Sequence, residues 1–530
     1  MTPHTSSRIA YFSPALHTDI PSEEFGNKAY GLGVMSSLGI PVPPGFALHV
    51  SVCEDYYRNG LQEPHYLPDL LRDGIAFLEQ STGLVYGSGK KPLLVSVRSG
   101  AHISMPGIMD TILNVGLNRE TLRGLVSLTG NPRFAWDSYR RLFENISEIV
   151  FRHDPAAYQA LLSETMAAEG ISDVVELDSS SLSKIADSYQ RLFMATEKHA
   201  FPDDVHTQLL LSASAVLRSW TNPRADSFRR LNPDRNTRGT AVTVQAMVFG
   251  NMGLDSGAGV AFTRNPWNGE NVPVVDFKFG AQGEDVVSGA QSATTQNDLC
   301  RSMPRVYAEL VQTGKTLEEH FADMQDLEFT VQEGRLFILQ SRNGKRSSLS
   351  ALRIAVDMWR EGTISAETAL SHLEGLDIES IRVESVSTED YPIATGISAS
   401  GGVATGSVVF TPEQAVRYSA HGPVILVRET ASPGDIDGIR VASGLLTARG
   451  TRTSHAAVVA RQLGKVCIVN CRGLEPDPVH QRCHLGGQIF RVGDTITLDG
   501  DSGQVYAGIV STTYEQPMEL LETVRSWKSG

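Results

Sequence analysis

The spacing of apolar residues changes twice along this chain of 530 residues. From about residue 119 to 220 apolar positions recur with a helical period, whereas from Thr240 onward short runs alternate in the manner of strands. A single hydrophobic core stops growing near about 250 to 300 residues, so the chain is expected to form two or three domains. A helical insertion within the first domain explains the order of these patterns.

A β-hairpin is the clearest element in the middle of the chain. Its alternating strands lie in LEFTVQEGRLFILQSRNG, with Glu333 and Gly334 as the turn. Polar and helical residues follow, and a Gly- and Ser-rich stretch from Gly396 then opens another β-rich region. The predicted organisation is a domain at 1–345, linker helices at 346–390, a second domain at 391–511 and a tail at 512–530.

Charge and hydropathy argue against two classes of partner. A formal net charge of -14 disfavours a nucleic-acid surface, because phosphate backbones are bound by clustered Lys and Arg. No segment approaches the roughly 18 consecutive apolar residues that a membrane span needs. The N-terminus, MTPHTSSRIAYF, has neither the basic nor the apolar region of a secretory signal, so the cytoplasm is the expected compartment.

The cysteines are scattered and odd in number, which disfavours a disulfide framework and fits a reducing compartment. They are Cys53, Cys300, Cys467, Cys471 and Cys483. The last three, together with His480 and His484, include the residue types that bind zinc. Their spacing is not the paired C-x2-C of structural zinc sites, and Cys467 lies in the apolar run KVCIVNC. The pattern favours core cysteines, with a metal site as the alternative.

Arg98 stands in the densest polar stretch of the sequence. The segment KPLLVSVRSG alternates like a strand and ends in Ser99 and Gly100, just before a loop that contains SMPG. Loop N–H groups and a guanidinium both donate to oxyanions, so the stretch predicts phosphate binding. A surface arginine in a turn is the alternative.

Carboxylate and amide side chains are placed close together on the predicted hairpin. Asp326 and Glu328 lie two residues apart on one strand and therefore point to the same face, while Gln340 and Arg342 lie on the partner strand. Converging carboxylates suit Mg²⁺, which prefers oxygen ligands and binds together with substrate phosphates. An exposed acidic strand face is the alternative.

His455 follows Thr453 and Ser454 and precedes an apolar helical run, AAVVAR. This order is an N-cap signature and predicts that His455 lies in the first turn of a helix. The free N–H groups and the positive end of the helix dipole would bind a phosphate held on the imidazole and would keep that imidazole neutral and nucleophilic. A structural histidine is the alternative.

Taken together, these stretches resemble the pyruvate, phosphate dikinase family of PEP-utilising enzymes. The resemblance runs in family order from about Gly26 to Gly508. Its segments are SVRSGAHISMPGIMDTILNVGLN, TGNPRFAWDSYRRLF, VQAMVFGNMGLDSGAGVAFTRNPWNGE, GAQGEDVVSG, MQDLEFTVQEGRLFILQSRNGKR and TSHAAVVARQLGK. It implies a multidomain α/β and α+β protein, with an ATP-grasp nucleotide-binding domain followed by a β/β/α swivelling phosphohistidine domain.

The resemblance also implies residue roles and a reaction. Those that would hold the phosphates of ATP are Lys28, Arg98 and Arg342, and those at the metal and nucleotide are Asp326, Glu328 and Gln340, with Glu328 and Gln340 as Mg²⁺ ligands. His455 would attack the β-phosphorus of MgATP and release AMP. Inorganic phosphate would then take the terminal phosphoryl as pyrophosphate, and pyruvate would receive the remaining one to give phosphoenolpyruvate.

Two departures from the family concern the acceptor. Family members continue into a phosphoenolpyruvate/pyruvate barrel of about 250 residues, which the residues after the last predicted strand cannot form, so we expect an acceptor site on a separate protein. Thr451 and Arg452 stand where the family usually has Gly and Met, and Gln291 and Ser292 stand in place of the usual Arg and Thr. The first half-reaction is expected to be intact, whereas the phosphate requirement and the acceptor stay open.

The sequence leaves two other functions open: a phosphotransferase for a different small acceptor, and a non-catalytic nucleotide-binding subunit. The oligomeric state is also open, with a homodimer among the alternatives. The expected partners are the small molecules ATP, Pi and pyruvate or another acceptor.

Overall fold

The computed structural model describes residues 8–101, 109–171, 173–222, 225, 239–287, 294–452 and 454–529. The chain packs into two compact units, the first formed by 1–256 and 331–341 and the second by 257–330 and 342–530. The predicted domain boundaries at 345, 390 and 511 stay predictions. The predicted fold class, a mixed α/β protein of several domains, is confirmed.

The first unit is built on an antiparallel five-stranded sheet. From edge to edge its strands are Ile9–Phe12, Gly45–Leu48, Ala241–Ala246, Val95–Gly100 and Thr111–Val115. A short parallel pair, Val85–Tyr86 with Pro92–Leu93, lies apart from it. The strand Val95–Gly100 is buried up to Val97 and half-buried at Arg98 and Ser99, so Arg98 lies where the strand leaves the core.

Helices account for most of the first unit outside the sheet. They are Ser22–Ser37, Ser51–Arg58, Leu67–Thr82, Arg119–Thr129, Pro132–Asn145, Pro155–Glu169, Ser179–Glu197 and Val205–Ser219, with a π-helical turn at Ile146–Val150. Local hydrogen bonds explain several helix starts. Asn118 forms a capping box with Thr121 at the start of Arg119–Thr129. Asp178 and Asp204 each accept a backbone N–H bond from the first turn of the helix that follows them.

An ion network is buried in the Pro132–Asn145 helix. Asp137 accepts hydrogen bonds from Nη2 of Arg140 at 2.8 Å, from Nε of Arg141 at 3.0 Å and from Nδ2 of Asn251 at 2.9 Å. Burial by itself would raise the pKa of Asp137, but the charges of Arg141 and Arg140 outweigh it and hold the pKa well below its ordinary value. The carboxylate is therefore ionised and holds two arginines in the core.

Asp137→Asn is expected to lower the free energy of unfolding by about 2 kcal/mol at neutral pH, because charged hydrogen bonds are lost. The carboxylate's contribution is present above the unfolded-state pKa of about 3.9 and is lost as the pH falls below it toward the lower folded pKa. The gap in urea midpoint between wild type and variant should shrink below about pH 4. Asp69→Asn, in an exposed pair with Arg72, is the control and should change stability by less than about 1 kcal/mol. A pH-independent gap for Asp137→Asn would contradict this.

A second five-stranded sheet follows. In spatial order its strands are Thr294–Thr295, Val274–Phe279, Gly257–Phe262, Gln325–Gln332 and Arg335–Asn343, and the nearby helices are Gly283–Val287, Gln296–Ser302 and Pro304–Phe321. The last two strands confirm the predicted hairpin. A Cβ on Gly259 would lie 2.4 Å from the ring of Phe329. Glycine therefore lets the strand Gly257–Phe262 pack closely beside Gln325–Gln332.

The third sheet has eight strands. In spatial order they are Ala394–Thr395, Gln504–Ala507, Thr495–Asp499, Val403–Val409, Val424–Arg428, Gly444–Thr447, Val466–Val469 and Ile397–Ser400. The four strands from Val403–Val409 to Val466–Val469 are parallel to one another. The helices that connect them in sequence are Pro412–Ser419, Ile436–Val441 and His455–Gln462. Parallel neighbours need such crossovers, so the sheet order explains why a helix precedes each of the last three of these strands.

The two faces of the third sheet are covered differently, which gives the predicted β/β/α layering. One face packs on helices through Ala415, Ile439 and Ala457. The other packs on a small three-stranded sheet formed by Glu475–Asp477, Arg482–Leu485 and Gln488–Arg491.

Cysteines occupy the core of this layered region. Cys467, Cys471 and Cys483 are each at most 1% exposed. Burial raises the pKa of all three thiols to about 12, so they pack as small apolar groups. The core interpretation of these cysteines is confirmed.

The segments predicted as linker and tail pack together within the second unit. Helices Ser348–Arg360 and Ala366–His372 contact the terminal helix Met518–Ser529, with Trp359 and Trp527 edge to face at 5.1 Å. Strands Val383–Val386 and Thr512–Glu515 pair antiparallel. Among the described residues, no helix is long and apolar enough to cross a membrane.

Candidate active site

The His455–Gln462 helix begins where the N-cap signature predicts. Ser454 is buried, and its Oγ accepts a hydrogen bond from the N–H of Ala457 at 3.4 Å. His455 is thus the first residue of the helix, at the end where N–H groups point outward. Its role as nucleophile stays a prediction. Thr453, Gln291 and Ser292 lie outside the described residues.

A small cavity lies at the start of this helix. Thr447, Gly450, Ser454, Ala457 and Val469 contribute to its lining. Thr447 is only 1% exposed, and its Oγ1 has no hydrogen-bond partner within the part of the chain that the structure describes. A buried hydroxyl left without a hydrogen bond lowers the stability of the fold. Sequence reasoning missed Thr447, which reads there as one more strand residue.

The loop before the helix contacts the second sheet and its connections. Thr451 donates from Oγ1 to the carbonyl oxygen of Val286 at 3.2 Å. Arg461, on the helix itself, places its guanidinium 5.2 Å from the ring centre of Phe262, on a strand of the second sheet. These contacts lie within the second unit and hold the His455 helix against the second sheet and its connections.

Asp326 and Arg342 form the best-defined ion pair of the predicted metal region. Nε of Arg342 donates to Oδ2 of Asp326 at 2.8 Å, and Nη2 of Arg342 lies 3.8 Å from Oε1 of Glu328. Burial raises the pKa of Asp326 although Arg342 lowers it, and the charge of Asp326 raises the pKa of Arg342. Asp326 is 8% exposed and Glu328 is half-buried, so these two residues do not form an exposed acidic strand face.

The donor set fits a hard divalent cation. Oδ1 of Asp326 is buried and has no hydrogen-bond partner among the described residues, as expected of an oxygen that faces a bound group. Carboxylate oxygens such as those of Asp326 and Glu328 are donors that Mg²⁺ accepts. Gln340 is half-buried on the last strand of the second sheet and belongs to the first unit, and its role as a metal ligand stays a prediction. Among the described residues, no group of three or more His, Cys, Asp or Glu could hold a metal ion.

Lys28 and Arg98 are brought to one place in the first unit by a glycine contact. Gly26 breaks the Ser22–Ser37 helix at φ 77°, and a Cβ there would lie 1.6 Å from the carbonyl oxygen of Gly100. The N–H of Asn27 donates to the carbonyl oxygen of Ala101 at 3.3 Å. The helix turn with Lys28 therefore meets the end of the strand with Arg98, and both side chains are half-buried. The SMPG segment lies outside the described residues.

The fold and the candidate site define a class of protein: a multidomain α/β chain in which a β/β/α domain carries a histidine at the start of a helix. The model of the pyruvate phosphate dikinase AMP/ATP-binding domain matches residues 63–299 and 304–362, and that of the PEP-utilising enzyme mobile domain matches 420–503. The chain belongs to the pyruvate, phosphate dikinase family.

Curated relatives agree with this assignment. The chain is 41% identical to the chloroplastic pyruvate, phosphate dikinase of Flaveria pringlei. The alignment has 507 residues and covers 95% of the chain and 53% of the relative. The pyruvate, phosphate dikinase of Clostridium symbiosum is 40% identical over 95% of the chain and 58% of the relative. Pyruvate, phosphate dikinase 2 of Zea mays is 42% identical, over 92% of the chain and 56% of the relative. The chain thus spans about half the length of the curated relatives it matches.

Proposed function

We propose that this chain is a dikinase-type phosphotransferase in which MgATP pyrophosphorylates His455. The observation that supports it best is a packing contact. Arg461, on the helix that begins at His455, places its guanidinium 5.2 Å from the ring centre of Phe262 and 5.8 Å from that of Trp267. The helix start therefore packs on residues that lie within the matched AMP/ATP-binding domain, in the unit that also contains Asp326 and Glu328.

The proposed first step is a displacement at the β-phosphorus of ATP. A ring nitrogen of His455 forms the new N–P bond, the bond from the β-phosphorus to the bridging oxygen breaks, and AMP leaves with that oxygen. Lys28, Arg98 and Arg342 would hold the phosphates and stabilise the spread negative charge. Bound at Glu328 and Gln340, with Asp326 beside them, Mg²⁺ would supply charge neutralisation of the polyphosphate.

The second step and the acceptor complete the proposal. An oxygen of inorganic phosphate attacks the terminal phosphorus, which yields pyrophosphate and leaves one phosphoryl group on His455. That group then passes to pyruvate to give phosphoenolpyruvate, at an acceptor site on a separate protein. The match covers about half the length of the relatives. The cytoplasm stays the expected compartment, and the homodimer stays an untested alternative.

Product analysis of MgATP turnover tests the proposal. With Pi present, we expect AMP and pyrophosphate in amounts close to one per chain, and no phosphoenolpyruvate when pyruvate is added. AMP formed without pyrophosphate would mean that water, not Pi, takes the terminal phosphoryl group. Phosphoenolpyruvate from this chain alone would contradict the separate acceptor. ADP as the product, or bound but unreacted ATP, would contradict the dikinase reaction itself.

A further inference from the structure

Two arginines that flank His455 meet one tryptophan of the nucleotide-binding part of the second unit. The guanidinium carbon of Arg452 lies 5.8 Å from the ring centre of Trp267, and that of Arg461 lies 5.8 Å from the same ring. Trp267 is 7% exposed and follows the end of the strand Gly257–Phe262. An indole face is the aromatic surface that attracts cations best.

The two arginines differ in what else they contact. Arg461 is 3% exposed and donates to the carbonyl oxygens of Ala399 at 3.0 Å and Arg452 at 2.9 Å, so it is part of the core of its own domain. Arg452 is half-buried, and its Nε is enclosed without a hydrogen-bond acceptor among the described residues. Within the described residues, the contact with Trp267 is an interaction that can orient the Arg452 side chain.

The backbone of Trp267 is fixed by hydrogen bonds on both sides of the residue. Its backbone N–H donates to Oδ1 of Asn265 at 3.0 Å, and Oγ of Ser347 donates to its carbonyl oxygen at 2.6 Å. Next to this turn, buried Arg264 donates to Oε2 of Glu318 at 3.0 Å and to Oε2 of Glu361 at 2.6 Å. With its backbone bonded on both sides and its side chain buried in a hydrophobic cluster, Trp267 can position a neighbouring loop.

We propose that Arg452 is a positioning residue whose contact with Trp267 latches the His455 loop onto the nucleotide-binding part of the chain while His455 is phosphorylated. The proposal rests on the proposed function and deepens it. A neutral aromatic partner suits this role, because a carboxylate partner would cancel the arginine's charge and repel the phosphates of ATP. A cation–π contact is also weak enough to open when the mobile domain leaves.

The test is the single-turnover rate at which the chain gains acid-labile label from MgATP labelled at the β-phosphorus. Arg452→Met should slow labelling about three- to tenfold, the size expected when one desolvated cation–π contact is lost. The final amount of label, the affinity for a non-hydrolysable MgATP analogue and the thermal midpoint should stay at wild-type values. Arg452→Lys should keep most of the rate, because it retains a cation.

Two further variants separate a latch from other roles. Trp267→Phe provides a weaker aromatic face and should slow labelling less than Arg452→Met, and the double variant should be no slower than Arg452→Met. Arg417→Met is the matched control, because it removes a cation–π contact with Tyr418, at 5.1 Å in the same domain but away from the loop. It should label at the wild-type rate.

Several outcomes would overturn the latch. These are a wild-type rate for Arg452→Met, or multiplied losses in the double variant, or a Lys variant as slow as the Met variant. Each would mean that the Trp267 contact does not set the rate. Wild-type protein that gains no label at all would overturn the proposed function together with the latch, whereas normal wild-type labelling with an unaffected Arg452→Met overturns the latch alone.

Discussion

Replacing His455 with alanine is expected to abolish the acid-labile label that the chain gains from MgATP labelled at the β-phosphorus. The initial rate should fall by at least about a thousandfold, because a covalent nucleophile has no substitute in the same position. Folding should be little affected. His455 is the first residue of an eight-residue helix, and Ser454, which caps that helix, is unchanged. Label would be measured after acid and base treatment, since phosphohistidine survives base and not acid.

His480→Ala is the matched control for this loss. His480 is in the same domain, is 68% exposed and pairs with Asp477 through Nδ1 at 2.7 Å. Its variant should gain label at the wild-type rate and to the same final amount. Label that persists in His455→Ala would assign the nucleophile to another residue, and loss of label in both variants would point to damage of the domain.

Glu328→Gln is expected to slow the labelling of His455 by about a hundred- to a thousandfold at ordinary Mg²⁺ concentrations. The change keeps the shape of the side chain and removes the negative charge that a divalent cation needs. Because the amide is a weaker ligand, raising the Mg²⁺ concentration should recover part of the rate. The measurement is the single-turnover rate as a function of Mg²⁺ at saturating ATP.

Glu333→Gln is the control on the same hairpin. Glu333 is an exposed turn residue, five positions from Glu328, and its amide variant should have the wild-type Mg²⁺ dependence. If Glu328→Gln lowered the rate without any change in Mg²⁺ dependence, Glu328 would not be a metal ligand. Glu328 would then act only through the electrostatic interaction of its carboxylate with Asp326 and Arg342.

Asp326 and Glu328 are expected to differ in what they do, although both are acidic and lie on one strand. Asp326 holds Arg342 through one oxygen and leaves the other oxygen without a hydrogen-bond partner in the described part of the chain. Glu328 lies farther from Arg342, at 3.8 Å. The arrangement supports the proposal that Asp326 orients Arg342 while Glu328 binds the metal, a division that spacing along the strand does not reveal.

Local patterns were sufficient for several elements. Alternation around Glu333 and Gly334 predicted the hairpin, and a serine before an apolar helical run predicted a helix start at His455. Apolar neighbours predicted that Cys467 is buried. In each case the cause acts over a few residues, through strand periodicity, capping hydrogen bonds or the composition of one strand.

Contacts between distant segments were not predictable in this way. Thr447 and Trp267 carry no local signal, and only the fold places one at the start of the His455 helix and the other against Arg452. Residues 512–530 were predicted to be a tail. In the structure, the strand Thr512–Glu515 pairs with Val383–Val386, and the helix Met518–Ser529 packs on the linker helices.

The sequence by itself determined the fold class through its resemblance to a family. It also determined the helix start at the histidine and the presence of an acidic pair next to an arginine, because short-range stereochemistry and side-chain type decide these. Only the tertiary structure decided that Asp326 is buried with one oxygen unpartnered in the described region, that Gly26 presses the Lys28 turn against the Arg98 strand, and that an indole faces two arginines beside His455. Burial, close approach and stacking depend on which segments become neighbours, and that is a property of the whole packed chain.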